Sequence, residues 1–321
     1  DWGRDWGRDT MTGRDADLAT LATALDWAAA GHGVAIATVI TTWGSAPRRE
    51  GSHLAVRADG LFAGSVSGGC VEADVILAAQ DMIAVNAGHA VLDYGVADTV
   101  AWTAGLACGG RISILVQRLA DDALPPALVA DVLAATAAGQ IATISSDPAT
   151  GVSAAGPGGP FVRPYPPPRR LFIIGAVHIA QALVPLAEGL GVATSVIDPR
   201  GLFASDERFA GLELDRRWPD EALAGALNPA AAVVALTHDP KIDDVALACA
   251  LASPAYYIAA LGSRKNHAGR LERLAAQGFG PDDLARVHGP AGLAIGAIGP
   301  AEIALSIAAE MTATWRHALA A

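Results

Sequence analysis

The sequence predicts an α/β protein in which a C-terminal Rossmann-like, doubly wound parallel sheet follows an N-terminal α+β domain. Past residue 170, short apolar runs alternate with helical patterns, the grammar of a parallel sheet covered on both faces. The first such run, residues 171–174, leads straight into Gly175-Ala176-Val177-His178-Ile179-Ala180, where a nucleotide-binding fold places its glycine turn. In the first half, Asp59-Gly60 between two apolar runs signals an antiparallel hairpin whose two central positions both take positive φ.

The elements follow in order. Leu18, Leu21, Leu25 and Ala29 share one helical face that ends at Gly31, and residues 34–41 read as a buried strand. Residues 54–57 and 61–65 form the hairpin, and Gly68-Gly69 opens a helix over 71–86. Strands at 91–95, 111–117 and 141–145 and a helix over 126–137 complete this half. Residues 147–170 are rich in Gly and Pro, which removes amide donors and stiffens the chain. The domain reading is therefore an extension over 1–10, an α+β domain over 11–160, a Pro-rich linker over 161–170 and a Rossmann-like domain over 171–321. In the last of these, strands are expected at 171–174, 194–197, 232–236 and 256–261, and helices at 178–188, 243–251, 264–277 and 301–318.

Composition narrows the function classes. Hydrophobic residues make up 52% and charged residues 17% of the 321, which suits a globular chain rather than a disordered one. The net charge of −11 shows no concentrated basic patch, so nucleic acid is not an expected partner. Mean hydropathy is high at +0.35, yet Ser253, Pro254 and two tyrosines break the longest apolar stretch, so no membrane span is expected. The tandem Asp-Trp-Gly-Arg at residues 1–10 reads as a disordered extension, not as a secretory signal. Three cysteines argue against a disulfide framework, and the expected compartment is a reducing cytoplasm. Ala-rich helices and the high hydropathy leave room for a homodimer.

Four motifs could carry chemistry. Ser67-Gly68-Gly69-Cys70 places a thiol at a helix start, where the dipole and free amides favour thiolate; Cys108-Gly109-Gly110 is a second glycine-flanked cysteine. The alternative for both is a buried structural cysteine, the reading that suits Cys249 on its apolar helix face. Arg48 and Arg49 sit in a loop after a buried strand, where they would hold a phosphate or carboxylate or simply face solvent. The Gly175 turn is followed by Asp198 at the next strand's end, the acid a ribose would want, but Val177 replaces the glycine that lets a pyrophosphate approach. A nucleotide such as NAD(P) competes there with a purely structural turn.

Finally, Thr237-His238-Asp239, Gly262-Ser263-Arg264-Lys265 and Gly289-Pro290 through Gly299-Pro300-Ala301-Glu302 follow successive strands and together suggest an anion-binding cleft. Singly, Ser263 reads as a helix N-cap and Glu302 as a dipole partner. Scattered histidines and the lack of a C-x-x-C pair argue against a bound structural metal.

These blocks resemble the XdhC/CoxI family, the xanthine dehydrogenase accessory proteins, over nearly everything from residue 17 to 314. The matching runs are Gly44-Ser45-Ala46-Pro47-Arg48, Gly64 through Glu72, Cys108-Gly109-Gly110, the Gly175 turn, Asp198-Pro199-Arg200, residues 203–209, Thr237-His238-Asp239, Leu261-Gly262-Ser263-Arg264 and residues 289–304. The resemblance implies a molybdenum cofactor chaperone, an accessory factor rather than an enzyme. It implies molybdopterin-type cargo, delivery to an apo molybdenum hydroxylase of the xanthine or carbon monoxide dehydrogenase type, help in sulfuration, and a cysteine desulfurase as partner. It assigns cofactor binding to Cys70 with Gly68, Gly69, Cys108, Gly109, Arg48, Gly175, Asp198, Ser263 and Arg264, and makes Cys70 the contact to molybdenum or sulfur. Val177 and Pro199 depart from the family pattern and weigh against a nucleotide. The competing readings are an NAD(P)-dependent oxidoreductase built on the Rossmann-like domain and a scaffold protein that binds no small molecule.

Overall fold

The computed structural model describes residues 13–44, 48–95, 110–201, 207–209 and 212–318. The chain divides into two compact units, one over Met11–Pro166 and the other over Pro167–Ala321.

In the first unit, α1 (Gly13–Ala29) precedes β1 (Val34–Trp43), β2 (His53–Arg57), β3 (Phe62–Gly64), α2 (Glu72–Ala84), β4 (His89–Tyr94) and β5 (Arg111–Arg118). The five strands pair antiparallel in the order β3-β2-β1-β5-β4. β1 is central, and its first six residues are buried and mostly apolar because both its faces are covered. Ala35, Ala37 and Val39 pack with Val75 and Met82 of α2. Val34 and Ile36 pack with Leu21 of α1 and with Val129 and Val132 of α3 (Pro126–Ala137). A bulge between Val39 and Thr41 shifts the β1 register against β5.

The hairpin forms where expected but by a different turn. Among the described non-glycine residues only Asn86 and His238 have positive φ, so Asp59 does not, while Gly60 sits at +88°. The Gly60 amide bonds to the Arg57 carbonyl and the Arg57 amide to that of Leu61, which makes a three-residue loop closed by a left-handed glycine instead of the two-residue turn.

A small antiparallel sheet, in the order β7-β6-β8, contains β6 (Ala142–Asp147), β7 (Val152–Ala155) and β8 (Phe161–Tyr165). Residues 161–165, read as linker from their prolines, are thus a strand. β8 lies at the edge, where Pro164, having no amide to give, is tolerated opposite Thr143.

The second unit runs β9 (Arg170–Ile174), α4 (His178–Gly189), β10 (Ala193–Ile197), β11 (Glu213–Asp215), α5 (Pro219–Leu223) and β12 (Ala231–Ala235). It continues with α6 (Pro240–Leu251), β13 (Tyr257–Ala260), α7 (Arg264–Ala276), α8 (Pro281–Leu284), β14 (Val287–His288) and α9 (Pro300–Ala318). Its six strands are all parallel in the order β11-β10-β9-β12-β13-β14. Counted from β9 this is 3-2-1-4-5-6, the doubly wound Rossmann order. Alternate side chains of each strand serve opposite cores: Leu171, Ile173 and Val234 meet α4 and α9, while Phe172, Ile174 and Val233 meet α6 and α7. Gly175 closes β9 at φ +112°, and a Cβ there would come within 2.8 Å of the Thr237 methyl, so glycine is required for this close approach to the turn after β12.

Candidate functional site

Cys70 lies in the loop joining β3 to α2, half-buried, between exposed Gly68 and Gly69 and the first helical residue, Glu72. The loop folds around the Glu72 carboxylate. Its Oε1 accepts from the Ser65 hydroxyl (2.7 Å) and from the amides of Val66 (3.2 Å), Ser67 (2.8 Å) and Gly68 (3.0 Å). Its Oε2 accepts from the Gly69 amide (2.8 Å) and from the Ser67 hydroxyl. The Ser67 oxygen in turn accepts the amides of Cys70 and Val71, both at 2.9 Å. Gly68 (φ +79°) and Gly69 (φ +112°) supply the left-handed backbone that turns successive amides inward.

Burial pushes the Glu72 carboxyl up, but the hydrogen bonds from Ser67 and Ser65 outweigh it and hold its pKa at about 2. The amides expected to face the thiol are therefore spent on a carboxylate and a hydroxyl of the protein itself. Beside Cys70, a Cβ on Gly69 would meet nothing within 4 Å among the described residues. Arg48 is fastened to the same loop, its Nε donating to the Ser65 carbonyl at 3.0 Å. Cys108 and Gly109 lie outside the described residues. Cys249 packs half-buried against the α6 side of the second core, and burial raises its thiol.

A buried polar network in the same unit escaped the sequence reading. Asp17 of α1 pairs with Arg163 of β8 at 2.8 Å and with Arg49 at 3.2 Å, and accepts the His53 amide at 3.3 Å. The His53 ring bonds Thr38 Oγ1 through Nδ1 (3.0 Å) and Tyr165 Oη through Nε2 (2.8 Å). Burial, with Arg163 and Arg49 nearby, drives His53 well below its ordinary value. Arg49 is thus a structural partner of Asp17, while Arg48 goes to the Cys70 loop.

In the second unit, Asp198 stands at the end of β10, fully buried. It accepts the Ala176 amide (2.8 Å), the Arg200 amide (2.9 Å) and a bidentate Arg200 guanidinium (2.9 and 2.8 Å). Burial raises its carboxyl, but the Arg200 bonds prevail and hold it below the usual carboxylate value. The acid that a ribose would need is thereby filled from within, and half-buried Val177 packs against the α4 core.

The strand-end clusters meet in part. A cavity of about 350 Å³ between α6 and α7 is lined by His238, Asp243, Lys265, Asn266, Arg270 and Arg273 among others. Ser263 caps α7 by accepting the Asn266 amide (3.2 Å), and Asp239 caps α6 through the Lys241 amide (3.0 Å). Arg264 opens α7, is exposed, and does not line this cavity. Glu302 accepts the Ile298 amide at 2.8 Å.

On the other core, Glu310 of α9 accepts from Tyr257 Oη (2.6 Å) and the Gly292 amide (2.9 Å) and faces His288 Nδ1 at 3.1 Å. Among the described residues no group of three His, Cys, Asp or Glu is placed to hold a metal ion, and no helix is long and apolar enough to cross a membrane.

Comparison with known proteins fits this architecture. Residues 27–95 match the model of the XdhC and CoxI family, and residues 171–311 match that of the XdhC Rossmann domain. The molybdenum cofactor insertion chaperone PaoD of Escherichia coli (strain K12) is 27% identical over 297 residues, 89% of this chain and 85% of that protein. A probable xanthine dehydrogenase subunit from Bacillus subtilis (strain 168) is 27% identical over 313 residues, 87% of this chain and 92% of the relative. A crystal structure of a protein described as a xanthine dehydrogenase from Bacillus halodurans matches with a TM-score of 0.66 and 27% identity, covering 94% of this chain and 96% of the other. With both characteristic parts present, the chain belongs to the XdhC and CoxI family.

Proposed function

We propose that this protein binds the molybdenum cofactor, shields it, and passes it to an apo molybdenum hydroxylase of the xanthine or carbon monoxide dehydrogenase type. The observation that carries the reading is the match over most of both chains to a molybdenum cofactor insertion chaperone. The Cys70 loop supports it: a half-buried thiol sits beside two exposed glycines, with no described residue within 4 Å of a Cβ placed on Gly69 and a hydrogen-bonded base beneath. In this reading Cys70 is the contact to molybdenum or its sulfur ligand, Gly68 and Gly69 leave room for a bulky ligand, and Arg48 steadies the loop. Sulfuration of the cargo, with a cysteine desulfurase as sulfur source, belongs to the same reading, as does action in the cytoplasm.

The test is anaerobic incubation of the purified chain with molybdenum cofactor, gel filtration, then oxidation and fluorescence detection of pterin in the protein peak. Stoichiometric pterin that falls away in Cys70→Ala, with an unchanged circular dichroism spectrum, supports the carrier and the residue. An empty peak, accompanied by a response to NAD(P)H titration, overturns it in favour of an oxidoreductase built on the β11-β10-β9-β12-β13-β14 sheet.

A further inference from the structure

The cavity between α6 and α7 contains an unusual buried cation. Arg270 is 4% exposed, and its Nη2 donates to the Leu261 carbonyl at 2.9 Å. Its Nε and Nη1 are closed to solvent and have no hydrogen-bond partner among the described residues. The nearest carboxylate oxygen, on Asp243, is 3.9 Å from Nη2, too far for a hydrogen bond. A buried charged donor without an acceptor costs more than an ordinary surface residue can return, so such groups call for an explanation.

Asp243 and Asp244 also line the cavity, but their oxygens are engaged by other donors. Asp243 Oδ1 accepts from the Thr237 amide (3.2 Å) and hydroxyl (2.6 Å), and Oδ2 from the His238 amide (3.1 Å). Asp244 is engaged by Arg273 Nε (2.5 Å) and Nη2 (3.0 Å). The cavity is also lined by Lys265 and Asn266, both exposed, and by His238, which is held at φ +62° on the turn after β12. The donors therefore outnumber the free acceptors in this cavity. It also sits past the carboxyl ends of β12 and β13, where parallel sheets take up ligands.

We propose that this cavity is a phosphate-binding site, with Arg270 at its floor and Lys265 and Asn266 at its rim. A turn of the guanidinium presents Nη1 to one phosphate oxygen while Nη2 keeps the Leu261 carbonyl, and Lys265 and Asn266 serve the others. A volume of about 350 Å³ admits the phosphate and the first atoms of whatever carries it. The assignment goes beyond the cofactor-carrier reading and does not depend on it.

The experiment is calorimetric titration of the cofactor-free chain with inorganic phosphate and, separately, with ethyl phosphate, repeated on Lys265→Glu and Arg270→Lys. The expected result is saturable one-to-one binding that weakens about tenfold or more in Lys265→Glu, whose exposed side chain leaves the fold intact. Tighter binding of ethyl phosphate identifies a phosphate monoester as the natural ligand; equal or tighter binding of inorganic phosphate identifies the free anion. If Arg270→Lys does not fold, Lys265→Glu decides alone. No binding of either probe to the unaltered chain, or binding that Lys265→Glu leaves unchanged, overturns the site. Since no pterin is present, failure here leaves the cofactor-carrier reading standing, and failure of pterin retention leaves the phosphate site standing.

Discussion

The carboxylate of Glu72 and the hydroxyl of Ser67 lock together at the entrance of α2, and the Cys70 amide hangs from the same hydroxyl. One carboxylate thus organises the backbone from Ser65 to Gly69, and one serine passes that order on to the cysteine. The thiol is placed by hydrogen bonds that it does not itself make.

Removing this anchor should cost stability and the loop's order together. Glu72→Ala leaves the amides of Val66, Ser67 and Gly69 and two hydroxyls without their acceptor, while Gly68 keeps the Ser65 oxygen, and a loss of about 2 to 4 kcal/mol is expected, less than the sum of the bonds because water reaches the exposed glycines. Urea denaturation measures it. Glu72 is held below its ordinary value, so its contribution is complete above about pH 4.5 and is lost as pH falls toward about 2. The acid limb of a stability curve should therefore flatten in the variant; a limb of unchanged slope would mean that the carboxylate does not hold the loop.

His53 makes the opposite kind of statement about acid. It is buried neutral and titrates well below 6.5, so the unfolded chain binds a proton that the folded chain refuses, and stability is full above pH 6.5 and declines as pH drops below it. Asp17, which burial raises despite Arg163 and Arg49, works in the opposite sense as pH falls toward 3.8, where its protonation favours the folded state. The melting temperature should therefore fall between pH 7 and pH 5, and His53→Gln should remove most of that slope while lowering the plateau. A slope that survives the substitution would place the acid sensitivity elsewhere.

How much of this was legible in the sequence depends on the distance over which partners act. In the second unit β9, β10, β12 and β13 were readable, and β9, β12 and β13 most clearly, because each is a short apolar run followed by its own helix, so local pattern and tertiary burial agree; β11 and β14, three and two residues long, left no such pattern. The Asp17–Arg163 pair was not readable, since its partners stand 146 residues apart and neither charge sits in a recognisable spacing. Strand β8 was hidden by the prolines that suit an edge. The Glu72 anchor left a faint trace, two serines and two glycines followed at short range by a helical acid, but that pattern also describes an ordinary first-turn glutamate. Arg270 read as one more arginine on a polar helix; only the cavity and its missing acceptors single it out.

The Gly175 turn carries a prediction about nucleotides. Val177 stands where a nucleotide-binding turn has glycine, and Asp198 is already filled by Arg200 and the Ala176 amide. Val177→Gly alone is therefore expected to leave NADH affinity unchanged in a fluorescence titration, because relieving the crowding does not free the acid. A gain of about tenfold would show that the valine is the sole obstacle and that Asp198 yields Arg200 to a ribose.

Glu310 gives the last test, an ordering of three substitutions. Tyr257, fully buried on β13, donates to its carboxylate at 2.6 Å, the Gly292 amide at 2.9 Å, and half-exposed His288 stands 3.1 Å away. Tyr257→Phe removes one charge-assisted bond and should cost about 1.5 to 3 kcal/mol, with the ring still packed. Glu310→Ala should cost more, since it strands the Tyr257 hydroxyl and the Gly292 amide together. His288→Ala should cost least, because solvent competes for that contact. Thermal melts in which His288→Ala costs more than Tyr257→Phe would mean that the imidazole, not the phenol, fastens α9 to the sheet.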